Sequence, residues 1–343
     1  MDVKHYQRFL LADRSFANIV KRDITRLAES HGFSPAEVGR INIVVSEMAS
    51  NLHKHSPQGG ELLVKYTEDN AIEILCLDFG PGMKEPHRMM QDGTSTTGTA
   101  GEGLGAIMRQ SHTFDMFSCA GCGTVLLSRI YKGSTSAPKK NVPFEIGALL
   151  VPKPNEQFCG DGFAMSIQGR SCEFIALDGL GHGAAAQDAS TEAARVFLNN
   201  HSLDPVSNLR QIHQAIRKTR GAVGTIVHID LGLKRMSYCG IGNIAGRLYT
   251  IDGPGIVNAS SKSIIAYNGI LGHNIPTTLN SQQQEWNKSS LLILHSDGIK
   301  SRYDLSKYTN LHRHDVSIIA AVLYRDFRRD TDDSLVVVVR SKS

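Results

Sequence analysis

Acidic residues recur where strand-like runs give way to turns. Asp161 lies in Phe158-Cys-Gly-Asp161-Gly, and Asp178 follows the run 171–177 and opens Asp178-Gly179-Leu-Gly-His182-Gly183. Asp297 follows the run 291–296, and Asp332 and Asp333 precede the apolar run 334–340. Carboxylates gathered at one place resist joint ionisation, and divalent cations remove that repulsion. A pair of Mg²⁺ or Mn²⁺ ions held by carboxylates and waters can activate water and clamp a phosphoryl group, so no protein nucleophile is required. Any one Asp-Gly is also an ordinary turn. Four such sites together favour the metal reading.

A second constellation precedes it. Glu47, Asn51 and His55, spaced by four, fall on one helix face. Asp78-Phe-Gly80-Pro-Gly82-Met83 follows a strand-like run, and Gly101-Glu-Gly103-Leu-Gly105 leads into a helix. Glycines let backbone amides approach phosphate oxygens, and a helix start adds positive potential. Mg²⁺ keeps several waters, so one Asn side chain plus phosphate oxygens suffices to hold it. Asp78 could accept from an adenine amino group, and Glu47 could position or deprotonate a nucleophile.

The elements that must position these groups are legible. Ser34-Pro35-Ala-Glu37 reads as an N-cap, Pro at N1 and a capping-box Glu, starting a helix whose apolar stripe is Ile41, Val44, Val45, Met48, Ala49 and Leu52. Strands are expected at 61–67 and 71–77, a helix over 104–111 and a hairpin from 112–118 and 124–131. This first part then has helices on one face of a mixed sheet. Further on, helices are expected over 184–198 and 205–219 and strands over 224–230 and 235–241. The polar stretch 132–142 reads as a linker, giving domains 1–131 and 143–343.

The first constellation in chain order resembles the GHKL ATP-binding fold, and within it the small RsbT/RsbW-like anti-sigma-factor kinases. Ser46-Glu47-Met-Ala-Ser-Asn51 with His55 matches the N-box, and the two glycine segments match the Gly boxes. The resemblance implies Mg²⁺-ATP bound by Asn51, His55, Asp78, Gly80, Gly82, Gly101, Gly103 and Gly105, with Asn51 on the metal and Glu47 assisting transfer to a Ser/Thr of a partner protein. The second part resembles PPM-type (protein phosphatase 2C-like) phosphatases of the SpoIIE/RsbX subgroup, through Phe144-Glu-Ile-Gly147, Gly160-Asp161-Gly162-Phe163, the Asp178–Gly183 segment, Gly240-Ile-Gly-Asn243, Asn268-Gly-Ile-Leu-Gly272, His295-Ser-Asp297-Gly298 and Asp332-Asp333. It implies catalytic Asp178 and Asp297, with Asp178 bridging two Mn²⁺ or Mg²⁺ ions, Asp161 and the Gly179 carbonyl on one, and Asp297 with Asp332, or its neighbour Asp333, on the other. His182 is either an acid for the leaving hydroxyl or a structural hydrogen-bonding residue.

The two resemblances imply an α+β, two-domain protein: a GHKL (Bergerat) α/β sandwich followed by a PPM-type αββα sandwich. They imply a bifunctional switch acting on a STAS-domain anti-sigma antagonist or stressosome-like phosphoprotein, with a sigma factor or other regulator downstream. Two alternatives make the first domain a non-catalytic ATP-dependent binding module or a nucleotide sensor that gates the phosphatase. Composition agrees with an ordinary globular protein: 343 residues, 41% hydrophobic, 20% charged. A formal charge of only +4, with both signs interspersed, argues against nucleic acid as a partner. No run has the length of a membrane span, and a cytoplasmic location is expected. Six cysteines are too few for a disulfide framework at this length, and Cys119-Ala-Gly-Cys122 reads as a hairpin turn rather than a zinc or redox site.

Overall fold

The computed structural model describes residues 5–11, 16–86, 103–133, 142–200, 204–251 and 260–342. By contacts the chain forms two compact units, one made of Tyr6–Lys140 with Arg313–Val322, the other chiefly of Asn141–His312 and Leu323–Ser343. The expected linker falls largely on 134–141, outside the described residues.

The first unit holds β1 (Gln7–Leu11), α1 (Phe16–Ser30), α2 (Pro35–His55), β2 (Gly60–Tyr66), β3 (Ala71–Asp78), α3 (Gly103–Gln110), β4 (Thr113–Ser118) and β5 (Thr124–Tyr131). The capping box forms as the sequence predicts: Glu37 N–H donates to Ser34 Oγ, and Ser34 N–H donates to Glu37 Oε2 at 2.7 Å. The predicted stripe of α2 is buried, with Ile41, Val44 and Met48 fully enclosed against Ile24, Leu62, Val64, Ile72 and Ile74. Each such side chain contributes about 1.5–3 kcal/mol by leaving water.

The sheet order is β1-β2-β3-β5-β4, and every paired neighbour is antiparallel. The expectation of a mixed sheet is therefore corrected. The β4–β5 hairpin inserts its second strand beside β3, so β1, β3 and β4 run one way, β2 and β5 the other, and no two like-directed strands are neighbours. β1 and α1 were not anticipated.

The ladder aligns Lys65, Glu73 and Arg129 on three adjacent strands. Tyr6 Oη donates to Glu73 Oε1 at 2.5 Å, Lys65 Nζ lies 3.5 Å away, and Arg129 donates to Oε2 and to Asp315 at 2.7 Å. Burial opposes the charged form of Glu73. Arg129 and Lys65 outweigh it and hold the carboxyl down at about 2, against an ordinary value of 4.5. With the folded value depressed, this stabilisation is present above the unfolded value and is lost as pH falls from 4.5 towards 2. Glu73→Gln is expected to cost on the order of 3 kcal/mol at neutral pH, because it leaves Arg129 partly unpaired in the interior. In thermal unfolding the gap between wild type and variant should narrow across that acidic window.

The second unit is two packed sheets. One has order β13-β10-β9-β8-β7, the other β12-β11-β14-β15-β6. Their strands are β6 (Phe144–Val151), β7 (Asp161–Gln168), β8 (Ser171–Gly179), β9 (Ala222–Asp230), β10 (Arg235–Ile241), β11 (Ala245–Thr250), β12 (Ser260–Ile264), β13 (Gln282–Glu285), β14 (Ser290–His295) and β15 (Ser334–Ser341). Phe163, Phe174, Val227 and Tyr238 of the first sheet share a core with Leu150, Leu248, Leu294 and Val337 of the second. This is face-to-face packing of two inner faces.

Helices α4 (Ala184–Asn199) and α5 (Pro205–Ala215) cover the outer face of the first sheet through Ala193, Phe197, Leu209 and Ile212. The helix α6 is Val316–Phe327. Expected to reach residue 219, α5 ends at Ala215. Beyond its cap at Ile216 the chain turns, with Thr219 N–H donating to Ile216 O and Gly221 at φ +83°. No helix among the described residues is long and apolar enough to cross a membrane.

Candidate functional sites

In the first unit, α2 carries Glu47 and Asn51 to the start of α3. A Cβ built on Gly103 would lie 2.9 Å from Glu47 Oε2 and 3.5 Å from Asn51 Oδ1, so the N-box and the second glycine segment meet. Arg40 Nε of α2 also donates to Gln110 O at the far end of α3, at 3.1 Å. Asp78 ends β3, and its Oδ1 accepts from Gly80 N–H. The Asp78–Met83 loop rests on two supports. Phe79 N–H donates to Ser56 Oγ just past α2 at 3.3 Å, and Met83 N–H donates to Ser118 Oγ at 2.9 Å. Gly80 approaches the His55 carbonyl, and Gly105 is buried in α3. Gly101 lies outside the described residues.

Cys119 and Cys122 sit in the β4–β5 turn that their glycines predict, with Gly121 and Gly123 at positive φ. Their sulfurs face each other across this turn. The other four cysteines are buried and free.

In the second unit the acidic residues sit at strand ends because the ladders put them there. Asp161 opens β7 directly opposite Asp178 of β8, and Asp178 pairs with Val223 at the start of β9. In the other sheet His295, the last residue of β14, pairs with Val336 of β15, so Asp297 and the Asp332-Asp333 pair lie just beyond the same end. Burial and then repulsion from Asp297, Asp332 and Asp333 push the Asp178 carboxyl up to about 7. Burial and then Asp178 raise Asp161 well above the carboxylate range. The charges of the two sheets thus act on one another.

Neighbouring polar groups orient these carboxylates. Ser296 Oγ donates to Asp161 Oδ2 at 2.7 Å and accepts from Leu335 N–H at 2.9 Å, while Asn243 Nδ2 donates to Asp297 Oδ2 at 3.0 Å. Asp333 is taken up by backbone: Lys153 N–H donates to its Oδ1 at 2.7 Å and Gly160 N–H to its Oδ2 at 2.8 Å. Asp332 accepts from Asp333 N–H and is less buried. Asp333 is therefore a clamp on the Lys153 and Gly160 turns, and Asp332 is the better placed of the two to offer oxygen to a cation.

His182 Nδ1 is hydrogen-bonded to Glu156 Oε1 at 2.7 Å. Sequence reasoning missed Glu156 and the roles of Ser296, Asn243 and Lys153. Ser296 and Asn243 stood inside motifs already singled out, whereas Glu156 and Lys153 come from a loop with no pattern.

Among the described residues no three His, Cys, Asp or Glu side chains are gathered as a ready-made metal cage. The donor set nevertheless fits hard divalent cations, which take oxygen ligands and retain waters. Buried carboxylates that repel one another across two strand ends are what such charge would neutralise.

The two units have the folds of an ATPase-type domain and of a two-sheet phosphatase-type domain, and known proteins match each of them. Residues 12–128 match the histidine kinase-like ATPase domain family. The serine/threonine-protein kinase RsbT of Bacillus subtilis (strain 168) is 32% identical over 101 residues, covering 29% of this chain and 75% of RsbT. The phosphoserine phosphatase RsbX of the same organism is 27% identical over 147 residues, covering 43% of this chain and 70% of RsbX. One solved structure, described under the bacterial stressosome as a modular system adapted to control secondary messenger signalling, is 25% identical with a TM-score of 0.52, covering 57% of this chain and 99% of its own. A crystal structure of RsbX in complex with magnesium has a TM-score of 0.51 at 22% identity, covering 60% of this chain and 98% of that one. The chain belongs to the RsbT family of GHKL kinase-like proteins over its first part, fused to a PPM-type phosphatase domain.

Proposed function

We propose that the chain is a metal-dependent phosphoprotein Ser/Thr phosphatase whose domain 1–131 binds Mg²⁺-ATP and phosphorylates a Ser/Thr of the same partner, with 132–142 as linker and 143–343 as phosphatase. The observation that carries the phosphatase half is the placing of Asp161, Asp178, Asp297 and Asp332 at neighbouring strand ends of two packed sheets. Asp178 would bridge two Mn²⁺ or Mg²⁺ ions, with Asp161 and the Gly179 carbonyl on one side and Asp297 and Asp332 on the other. Such ions supply charge neutralisation for the phosphoryl group and a more acidic water. Ser296 and Asn243 fix the carboxylate rotamers, and Asp333 holds the surrounding turns in place. His182 is hydrogen-bonded to Glu156 and would either hold this loop through that bond or hand a proton to a departing Ser/Thr oxygen.

In the first domain Asn51 would hold Mg²⁺ and Asp78 the adenine amino group. His55, Gly80, Gly82, Gly101, Gly103 and Gly105 would surround the nucleotide. Glu47 accepts the proton of the attacking hydroxyl. Similarity to RsbT and RsbX, and to the solved structure described under the bacterial stressosome, supports a STAS-domain antagonist or stressosome-like scaffold as the partner, and through it control of a sigma factor or another regulator.

The transferase half is tested with γ-labelled ATP and a STAS-domain protein. Label should pass to the partner with wild type and fall by about 100-fold with Glu47→Gln. Tight ATP binding with no transfer by either protein would make the first domain a binding module instead.

A further inference from the structure

A phosphate monoester carries negative charge, and the site proposed for it is walled by carboxylates. Divalent ions offset those carboxylates, yet the peripheral phosphoryl oxygens still call for a cation of the protein. One stands in the right place. Asp161, Asp178 and Val223 are partners across β7, β8 and β9, and Gly179 pairs with Ala222. Arg220 is therefore two residues beyond the ladder, at the same sheet end as Asp178.

The turn that bears Arg220 is fastened to the acidic loop. Leu180 N–H donates to Gly221 O at 3.1 Å, Gly221 N–H donates to Thr219 Oγ1 at 3.1 Å, and His273 Nε2 bonds the Arg220 carbonyl at 2.8 Å. From that turn the guanidinium reaches over the Asp178–Gly183 loop: Nη1 lies 3.2 Å from where a Cβ on Gly181 would stand. Gly181 has φ +82°, a conformation that favours glycine, and having no side chain it leaves that approach open. Arg220 is exposed, and among the described residues no carboxylate pairs with it. An arginine held at its backbone beside a carboxylate cluster, with its planar fork left unpaired, matches the geometry of phosphate oxygens.

We propose that Arg220 binds the phosphoryl group of the substrate, a specificity-determining residue contributed by the α5–β9 turn. This rests on the phosphatase reading above. Arginine here would select dianionic phosphate monoesters and leave the hydrolytic step to the carboxylate site, so its loss should appear in KM more than in kcat.

The test uses the full chain with Mn²⁺, p-nitrophenyl phosphate as substrate and inorganic phosphate as competing inhibitor. Arg220→Ala should raise KM and the inhibition constant for phosphate together, by about tenfold, with a smaller change in kcat. Arg220→Lys should recover part of that loss, and Arg217→Ala, an exposed arginine before the same turn, should behave as wild type. An active wild type with phosphate inhibition unchanged in Arg220→Ala would overturn the proposal and leave the phosphatase reading standing. A fall in kcat and melting temperature with unchanged phosphate inhibition would reduce Arg220 to a structural role and overturn it too. No turnover by wild type would remove both.

Discussion

Asp178→Asn is expected to lower Mn²⁺-supported turnover of p-nitrophenyl phosphate by about 100-fold or more, the largest effect of any single substitution in the second domain. The carboxylate lies between the two groups of acids, opposite Asp161 and under the repulsion of Asp297, Asp332 and Asp333. Asparagine keeps the shape and removes the charge. In chelator, the variant should melt no lower than wild type, because one buried repulsive charge has gone. Loss of activity without loss of stability is the signature of a functional carboxylate. A variant that both unfolds and loses activity would show Asp178 to be structural instead.

In the first domain, Gly82→Ala is expected to weaken ATP binding by tenfold or more, about 1.4 kcal/mol at least. Gly82 has φ +66°, and a Cβ there would stand 2.0 Å from the Cys119 carbonyl oxygen. Neither backbone can yield easily. Gly121 N–H donates to Pro81 O at 2.7 Å and Met83 N–H to Ser118 Oγ, so the loop is tied to the β4–β5 hairpin on both sides of the glycine. Alanine would push the Asp78–Met83 loop away from the hairpin and shift Asp78 with it. Titration with a fluorescent ATP analogue reads the change, and circular dichroism checks that the domain remains folded. Unchanged affinity would mean that this loop does not contact the nucleotide.

Much of the architecture was legible because local chemistry and tertiary placement agree. The capping box at Ser34, the stripe from Ile41 to Leu52 and the glycine turn after Ser118 each carry their structural consequence within a few residues. The mixed sheet was misjudged because strand direction depends on which strands pair, and nothing local announces that β5 enters between β3 and β4. β1 escaped for a related reason. Its five residues are mostly half-exposed at a sheet edge, so they show no strong alternation.

Asp161, Asp178 and Asp297 could be picked out by their Asp-Gly contexts and Asp332-Asp333 by the apolar run that follows, but not the register that sets Asp161 against Asp178. Nor could sequence separate Asp332 from Asp333. That distinction lies in two backbone amides, from Lys153 and Gly160, which are some 170 to 180 residues distant in the chain. Arg220 was invisible for the same reason, because its meaning comes from a three-dimensional approach to Gly181.

The most direct test of the account is the rate of phosphate release by the full chain from a phosphorylated STAS-domain protein and from p-nitrophenyl phosphate. It is measured with Mn²⁺, after chelation and after metal is restored, for wild type and Asp178→Asn side by side. The account predicts turnover by wild type that disappears on chelation, returns with Mn²⁺ and is absent from the variant throughout. Turnover that survives chelation, or that Asp178→Asn retains, would contradict it.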